Sequence, residues 1–258
     1  MTKAQLKGIL EFYKAMGIEQ VPRVSPLKEP NPGQGHIPTL SKRGPHELPP
    51  FSKGGRGGIS NVGIIKTSSL NEKKKKLSLL REKIGDCKKC KLAGGRTNLV
   101  FGEGNPDAEI LFIGEAPGRE EDLQGRPFVG DAGRILTELI EWMRFKREQV
   151  FIANICKCRP PGNRDPEEDE VRACIPYLKE QIETISPKVI LALGRVSAQN
   201  LLNTKTPIGK LRGNVYEYGG IPLVPTFHPA YILRSPGERR KMGEDARVAL
   251  NLLRRKGA

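Results

Sequence analysis

The chain has 258 residues, room for one substantial domain and an appendage; a mean hydropathy of −0.46 and the lack of any apolar run of about 18 residues exclude a helical membrane span. The opening MTKAQLKGIL lacks the apolar core and small-residue cleavage site of a secretory signal, so a cytoplasmic protein is expected. The formal net charge of +15 is lopsided: residues 1–81 hold 15 Lys and Arg against 5 Asp and Glu, residues 82–258 hold 29 against 24. A strongly basic arm beside a mildly basic body points to a polyanionic partner, nucleic acid first, with a solubilising Lys-rich tail as the plainer alternative.

Within residues 1–20, Leu6, Ile9, Leu10, Tyr13 and Met16 follow the spacing of an amphipathic helix, and Gly17 is placed to end it. An isolated helix of this length is marginal in water, so it is expected to pack on the main domain or to dock on a partner, such as a replication or repair protein, through residues 2–16. Residues 21–69 read as a flexible Pro/Gly-rich linker: eight prolines lie between Pro22 and Pro50, and glycines cluster at 54–58. A helix is predicted over Leu70–Ile84, with Lys73–Lys76 on a solvated face.

Residues 70–258 form the expected folded domain. Glu109–Gly114 (EILFIG), Gln149–Ile155 and Lys188–Gly194 (KVILALG) are continuous apolar runs of strand length. A further strand, Ile221–Thr226, follows the Gly219–Gly220 turn after Asn214–Tyr218. Helices are predicted between them: Asp131 capping one that reaches Met143, an Asp165/Glu168 capping box with Pro166 opening one that reaches Ile185, then Val196–Leu202 and Glu238–Arg255. Alternation of this kind implies an α/β fold, a three-layer αβα sandwich around a short, mostly parallel four-stranded sheet, with ligands beyond the carboxyl ends of the strands.

The five cysteines form an odd set in a chain without a secretion signal, which argues for metal ligation or free thiols rather than disulfides. Cys87 and Cys90 make a C-x-x-C; Cys158 and Cys174 follow, 16 residues apart. Four thiolates suit a tetrahedral zinc or an iron–sulfur cluster, and the wide second spacing tilts toward the cluster. Cys156 is the odd one out, read as a small buried hydrophobe; on a strand it and Cys158 would face the same way.

Three separated strings then carry a resemblance. Gly114–Gly130 (GEAPGREEDLQGRPFVG) resembles the first active-site motif of the family 4, iron–sulfur type uracil-DNA glycosylases. Thr226–Pro236 (TFHPAYILRSP) resembles their second, and the cysteines with Lys157–Arg164 (KCRPPGNR) resemble their [4Fe–4S] ligation by Cys87, Cys90, Cys158 and Cys174. The resemblance covers roughly residues 80–255. It implies a monofunctional, monomeric enzyme of base excision repair, cytoplasmic and nucleoid-associated, that flips uracil out of single- or double-stranded DNA and hydrolyses its N-glycosidic bond.

By resemblance, Phe128 stacks on the flipped base, Asn154 reads its edge, and His228 steadies the charge that develops on uracil O2. Glu115 takes the family's acidic position beside the uracil; the residues leave open whether it orients the water and whether Glu121 instead lines the pocket near C5, where bulk would exclude thymine. Leu233 or Arg234 fills the gap in the duplex. The chemistry agrees: an Asn amide complements uracil N3–H and O4 but not cytosine, and a hydrogen bond to a developing anion favours the transition state. His36 and His46, in the linker, look incidental. Arg119 stands where the family often has an acid. The other reading is a non-catalytic or covalently trapping uracil-DNA sensor with a structural metal; trapping relatives carry a histidine in a basic loop after the first motif, and Gly133–Phe151 contain none.

Overall fold

The computed structural model describes the backbone of residues 62–255 and the side chains of 69–254; the expected helix at 1–20 and nearly all of the linker lie outside these residues. The first described element, α1 (Val62–Ile84), begins inside the segment expected to be linker. It packs on the domain through buried Leu77, Leu80 and Ile84. Lys73 departs from the expected solvated face: its ammonium donates to the Asp107 carboxylate (2.6 Å) and the Ile185 carbonyl (2.9 Å), while Lys74–Lys76 stay exposed.

Six strands form one sheet: β1 (Glu103–Gly104), β2 (Ile110–Gly114), β3 (Phe151–Asn154), β4 (Val189–Leu193), β5 (Tyr216–Tyr218) and β6 (Ile221–Thr226), in the order β1-β3-β2-β4-β6-β5. The four inner strands are parallel, as expected; β1 and β5 add short antiparallel edges, so the sheet is mixed and wider than the predicted four strands. β5 and β6 are a hairpin turned by Gly219 and Gly220, both in the left-handed region (φ 56° and 81°), as a two-residue turn of this hand requires.

Successive residues of a strand feed opposite faces. Ile110 and Phe112 of β2 enter a core with α3 (Asp131–Trp142), α7 (Pro229–Arg234) and α8 (Arg239–Arg255). Leu111 and Ile113 enter a second core with α1, α4 (Glu168–Ile185) and α5 (Arg195–Leu202). Two short helices, α2 (Arg119–Gln124) and α6 (Ile208–Leu211), complete the α-helices of the described residues. Among the described residues no helix is long and apolar enough to cross a membrane.

Two helix starts differ from expectation. Gly130, not Asp131, caps α3, and Asp131 is its first helical residue, where a carboxylate suits the helix dipole. Glu167, not Asp165, caps α4. There the Glu170 carboxylate accepts from the Glu167 N–H (2.7 Å) while Arg164 grips it at 2.7 and 2.9 Å. A fully buried Glu170 fixed by a two-pronged guanidinium outcompetes the exposed Glu168 as the returning acid. Asp165 is thereby released from the helix.

The register then sets the site. Gly114 pairs with Asn154, and Leu193 with Thr226, so the inner strands end nearly flush. Glu115, Asn154, Gly194 and His228 therefore stand along one carboxyl edge.

Candidate active site

A cleft of about 810 Å³ opens over that edge, and Glu115, Glu121, Phe128, Asn154, His228 and Arg234 all line it. Leu233 does not; it is exposed on α7, one residue before Arg234.

Asn154 ends β3 and is 2 % exposed. Three buried side-chain oxygens among the described residues lack a hydrogen-bond partner: Asn154 Oδ1, Glu138 Oε2 and Glu238 Oε2. The two glutamates have ion pairs with Arg239 and Lys241. Asn154 Oδ1 has neither, and an unmatched buried acceptor costs about 1–3 kcal/mol. It stands in a cleft as an acceptor held ready for a donor.

Phe128 faces the same point. Its backbone is left-handed (φ 52°), a conformation a bulky side chain adopts at a cost of about 1–3 kcal/mol and keeps only when its surroundings enforce it. The enforcement is visible. The Glu121 carboxylate accepts from the N–H groups of Gly118 (3.1 Å), Val129 (2.9 Å) and Gly130 (3.0 Å), and Arg147 donates to the Pro127 carbonyl. Glu121 thus lines the cleft, yet both its oxygens are committed to bracing the loop on either side of Phe128. Buried Asp122 fastens the next turn by accepting from the Thr97 and Asn98 amides.

Gly114 lets these two groups converge. A Cβ there would lie 2.4 Å from Asn154 Oδ1 and 2.5 Å from Phe128 Cζ. The packing of the Asn amide and the Phe ring requires glycine at the end of β2.

His228 follows β6 and caps α7, its Nδ1 accepting from the Ala230 N–H (3.1 Å). Burial drives its pKa down to about 4, with the positive charge of Arg234 adding to the effect and Glu121 opposing it. The ring is therefore neutral at neutral pH, and with Nδ1 an acceptor its proton sits on Nε2. Its ring centroid is 5.6 Å from that of Phe128. Gly194, left-handed at φ 89°, brings its backbone against the imidazole: a Cβ there would sit 2.8 Å from that of His228.

Glu115 follows β2. Burial first, then the neighbouring Asp165, raises its pKa to about 7, opposed by the positive charge of Arg195. Asp165 lines the cleft and pairs with Arg195 at the start of α5. Sequence reasoning missed this carboxylate, having spent it as a helix cap.

Cys87, Cys90, Cys158 and Cys174 line a separate pocket together with Arg96 and Lys157. Arg96 donates to Cys158 Sγ (3.2 Å) and the Lys157 N–H to Cys174 Sγ (3.2 Å), so donors already aim at two sulfurs. Among the described residues no three His, Cys, Asp or Glu side chains form a site for a single ion, although the four cysteines line one pocket. Cys156 is fully buried in the adjoining core, as expected, although β3 ends before it and it shares no strand with Cys158.

Residues 101–254 match the model of the uracil DNA glycosylase superfamily. The chain is 52 % identical over 181 residues to a type-4 uracil-DNA glycosylase of Saccharolobus solfataricus, covering 66 % of this chain and 83 % of that protein. It is 45 % identical over 185 residues to the type-4 enzyme of Thermotoga maritima, covering 70 % and 96 %, and 46 % identical over 175 residues to that of Archaeoglobus fulgidus, covering 65 % and 87 %. Three motifs on one sheet edge, a left-handed phenylalanine against an unmatched asparagine, and this extent of identity agree: the chain belongs to the uracil DNA glycosylase superfamily and, within it, to the type-4 uracil-DNA glycosylases.

Proposed function

We propose that this chain hydrolyses the N-glycosidic bond of uracil in single- or double-stranded DNA, leaving an abasic site for base excision repair. The observation that carries the proposal is the unmatched Asn154 Oδ1 beside the Phe128 ring. A base inside a duplex stack cannot reach this cleft, so it must be flipped out. Once inside, it stacks on Phe128, worth about 1–3 kcal/mol. Uracil N3–H donates to Asn154 Oδ1 and uracil O4 accepts from Nδ2. Cytosine presents an acceptor and a donor in reverse order and leaves both unmatched. Glu121 holds the loop that shapes the C5 side, where thymine's methyl group would enter.

As the C1′–N1 bond breaks, its electron pair stays on the uracil, with charge gathering on O2. The neutral His228 donates its Nε2–H there. A water adds to the oxocarbenium-like C1′, its proton passing to the Glu115 carboxylate. Arg234, on the cleft rim, and the exposed Leu233 are the groups to occupy the space left by the flipped base.

Glu115 gives this mechanism a pH signature. Because its pKa is raised from 4.5 to about 7, the native state holds its proton more tightly than the unfolded chain across that window. The stability it contributes is complete below pH 4.5 and is lost as pH rises through about 7. Activity should move oppositely: the single-turnover rate should rise with pH through a midpoint near 7, and Glu115→Gln should flatten that limb. A limb unchanged in Glu115→Gln assigns it to another group.

We propose that the four-cysteine pocket holds a [4Fe–4S] cluster, supported by its four thiols and by the donors aimed at two of them, with zinc as the alternative. Bound there, a cluster would be held by Cys87, Cys90, Cys158 and Cys174 and would supply a structural cross-link between the Cys87–Cys90 turn, the Cys158 loop and α4, which would fix the 88–96 and 159–164 loops as a basic surface for DNA. We further propose that the chain acts as a cytoplasmic, nucleoid-associated monomer whose residues 2–16 dock a replication or repair protein, with residues 70–258 as the enzymatic domain. One sample tests the reading. Purified anaerobically, the chain should contain iron and convert a uracil oligonucleotide to alkali-labile product while sparing cytosine and thymine controls. Tight uracil-DNA binding without cleavage would favour the sensor reading, and zinc without iron would replace the cluster.

A further inference from the structure

Three residues beyond Asn154, Lys157 is only 1 % exposed, one of the most deeply buried charges in the molecule. Its ammonium donates to the Asn154 carbonyl (2.9 Å) and to Gln181 Oε1 (2.6 Å), and Gln181 is itself held by donating to the Phe101 carbonyl (2.9 Å). Among the described residues no carboxylate pairs with it. Burying an ammonium without an opposite charge is among the costlier acts in folding. The nearby groups able to carry negative charge are thiols: Lys157 lines the four-cysteine pocket, and its own N–H donates to Cys174 Sγ. One residue thus touches both the pocket for the metal group and the backbone of the base-reading asparagine. A methionine would fill the same space with no donor and no charge, so packing alone does not account for a lysine here.

We infer that Lys157 is a positioning residue that ties the end of β3 to the four-cysteine pocket, so that uracil recognition by Asn154 and occupancy of that pocket are coupled. The inference rests on the reading of Asn154 as the uracil-contacting group. Coupling is reciprocal: if the filled pocket favours the Asn154 geometry that binds uracil, bound uracil must favour retention of the metal group.

The test uses free uracil as probe, in a double-mutant cycle of Lys157→Met and Asn154→Ala on the metal-loaded chain. Each single change should weaken uracil inhibition of the enzyme about tenfold, as expected when a buried hydrogen-bonding group loses its partner, and the double variant should be little weaker than Asn154→Ala alone. Affinity for an abasic-site oligonucleotide, which carries no base to read, should stay within about twofold. Should Lys157→Met not fold, Gln181→Met removes the group that orients the ammonium and takes its place in the cycle. In the parent chain, saturating uracil should slow metal release to a chelator, and this protection should vanish in the Lys157 or Gln181 variant. Additive effects in the cycle, a matching loss of abasic-DNA affinity, or uracil protection that persists without Lys157 would each overturn the coupling while leaving Asn154 as the reader. Parent-like uracil inhibition in Asn154→Ala would instead overturn the reading of the cleft, and the inference with it.

Discussion

His228→Ala is expected to lower the single-turnover rate of uracil release by about a hundredfold to a thousandfold, roughly 2.7–4 kcal/mol, the usual cost of removing one donor aimed at a developing oxyanion. The neutral imidazole, with Nδ1 occupied by the Ala230 amide and its proton on Nε2, donates without first losing or gaining charge. The substitution also deletes the cap of α7, a loss of about 1 kcal/mol of stability. His228→Asn separates the two roles. A side-chain oxygen can again accept from the Ala230 amide, so thermal stability should return toward the parent value while the rate stays low. Should the asparagine variant recover both, the histidine is a cap and not a catalytic donor. Below the folded pKa of about 4 the ring protonates, Nδ1 becomes a donor facing another donor, and the site should fail. The linked stability has the same sign: the unfolded chain binds this proton more readily between about pH 6.5 and 4, so stability falls as pH is lowered through that window.

Gly114→Ala should cost at least about a hundredfold in kcat/KM on a uracil oligonucleotide, through a single added carbon, because both base stacking and edge recognition are disturbed together. The new Cβ would sit within 2.7 Å of Asn154 Oδ1 and of two ring atoms of Phe128. Neither group can step aside cheaply: the ring belongs to a loop braced by Glu121 and Arg147, and the asparagine is held at the end of a buried strand. Overpacking of this kind costs about 1–3 kcal/mol of stability, so the chain should still fold. Gly209→Ala is the matched control, since a Cβ there meets nothing within 4 Å. Parent-like turnover by Gly114→Ala would mean that asparagine and phenylalanine do not share one bound base.

Much of this arrangement is legible in the residues themselves. The runs that became β2, β3 and β4 are continuous and apolar because both faces of the sheet are covered, and such runs declare themselves without help from the fold. β1 does not: two residues, Glu103 and Gly104, carry no pattern and owe their strand to pairing with Ile152 and Phe151. The site motifs were readable as strings, but the partners of their side chains were not. Nothing in GREEDLQGRPFVG says that Glu121 spends its carboxylate on three amides, or that Phe128 must turn left-handed to point where it does. Asp165 was misread for a physical reason. Its spacing to Glu168 fits a capping box, and only the grip of Arg164 on Glu170 moves the helix start and frees it. Lys73 looks like a solvent-facing charge in sequence, and nothing there marks Lys157 as buried. Each has an acceptor in a distant segment, Ile185 for Lys73 and Gln181 for Lys157, 112 and 24 residues away, which local pattern cannot supply.

The alternation of β2 between two cores distributes the chemistry unequally. Gly114, in phase with Phe112, abuts Phe128 and Asn154 on the side covered by α3, α7 and α8, whereas Glu115, one residue past the strand, stands beside Asp165 and Arg195, the latter opening α5 of the other layer. On the proposed mechanism, the groups that grip the base and the acid that takes the water's proton are thus built from separate layers that meet only at the rim of the sheet. On that mechanism, loosening either layer should abolish uracil release, because capture of the base and activation of water each need their own layer in place at the shared rim.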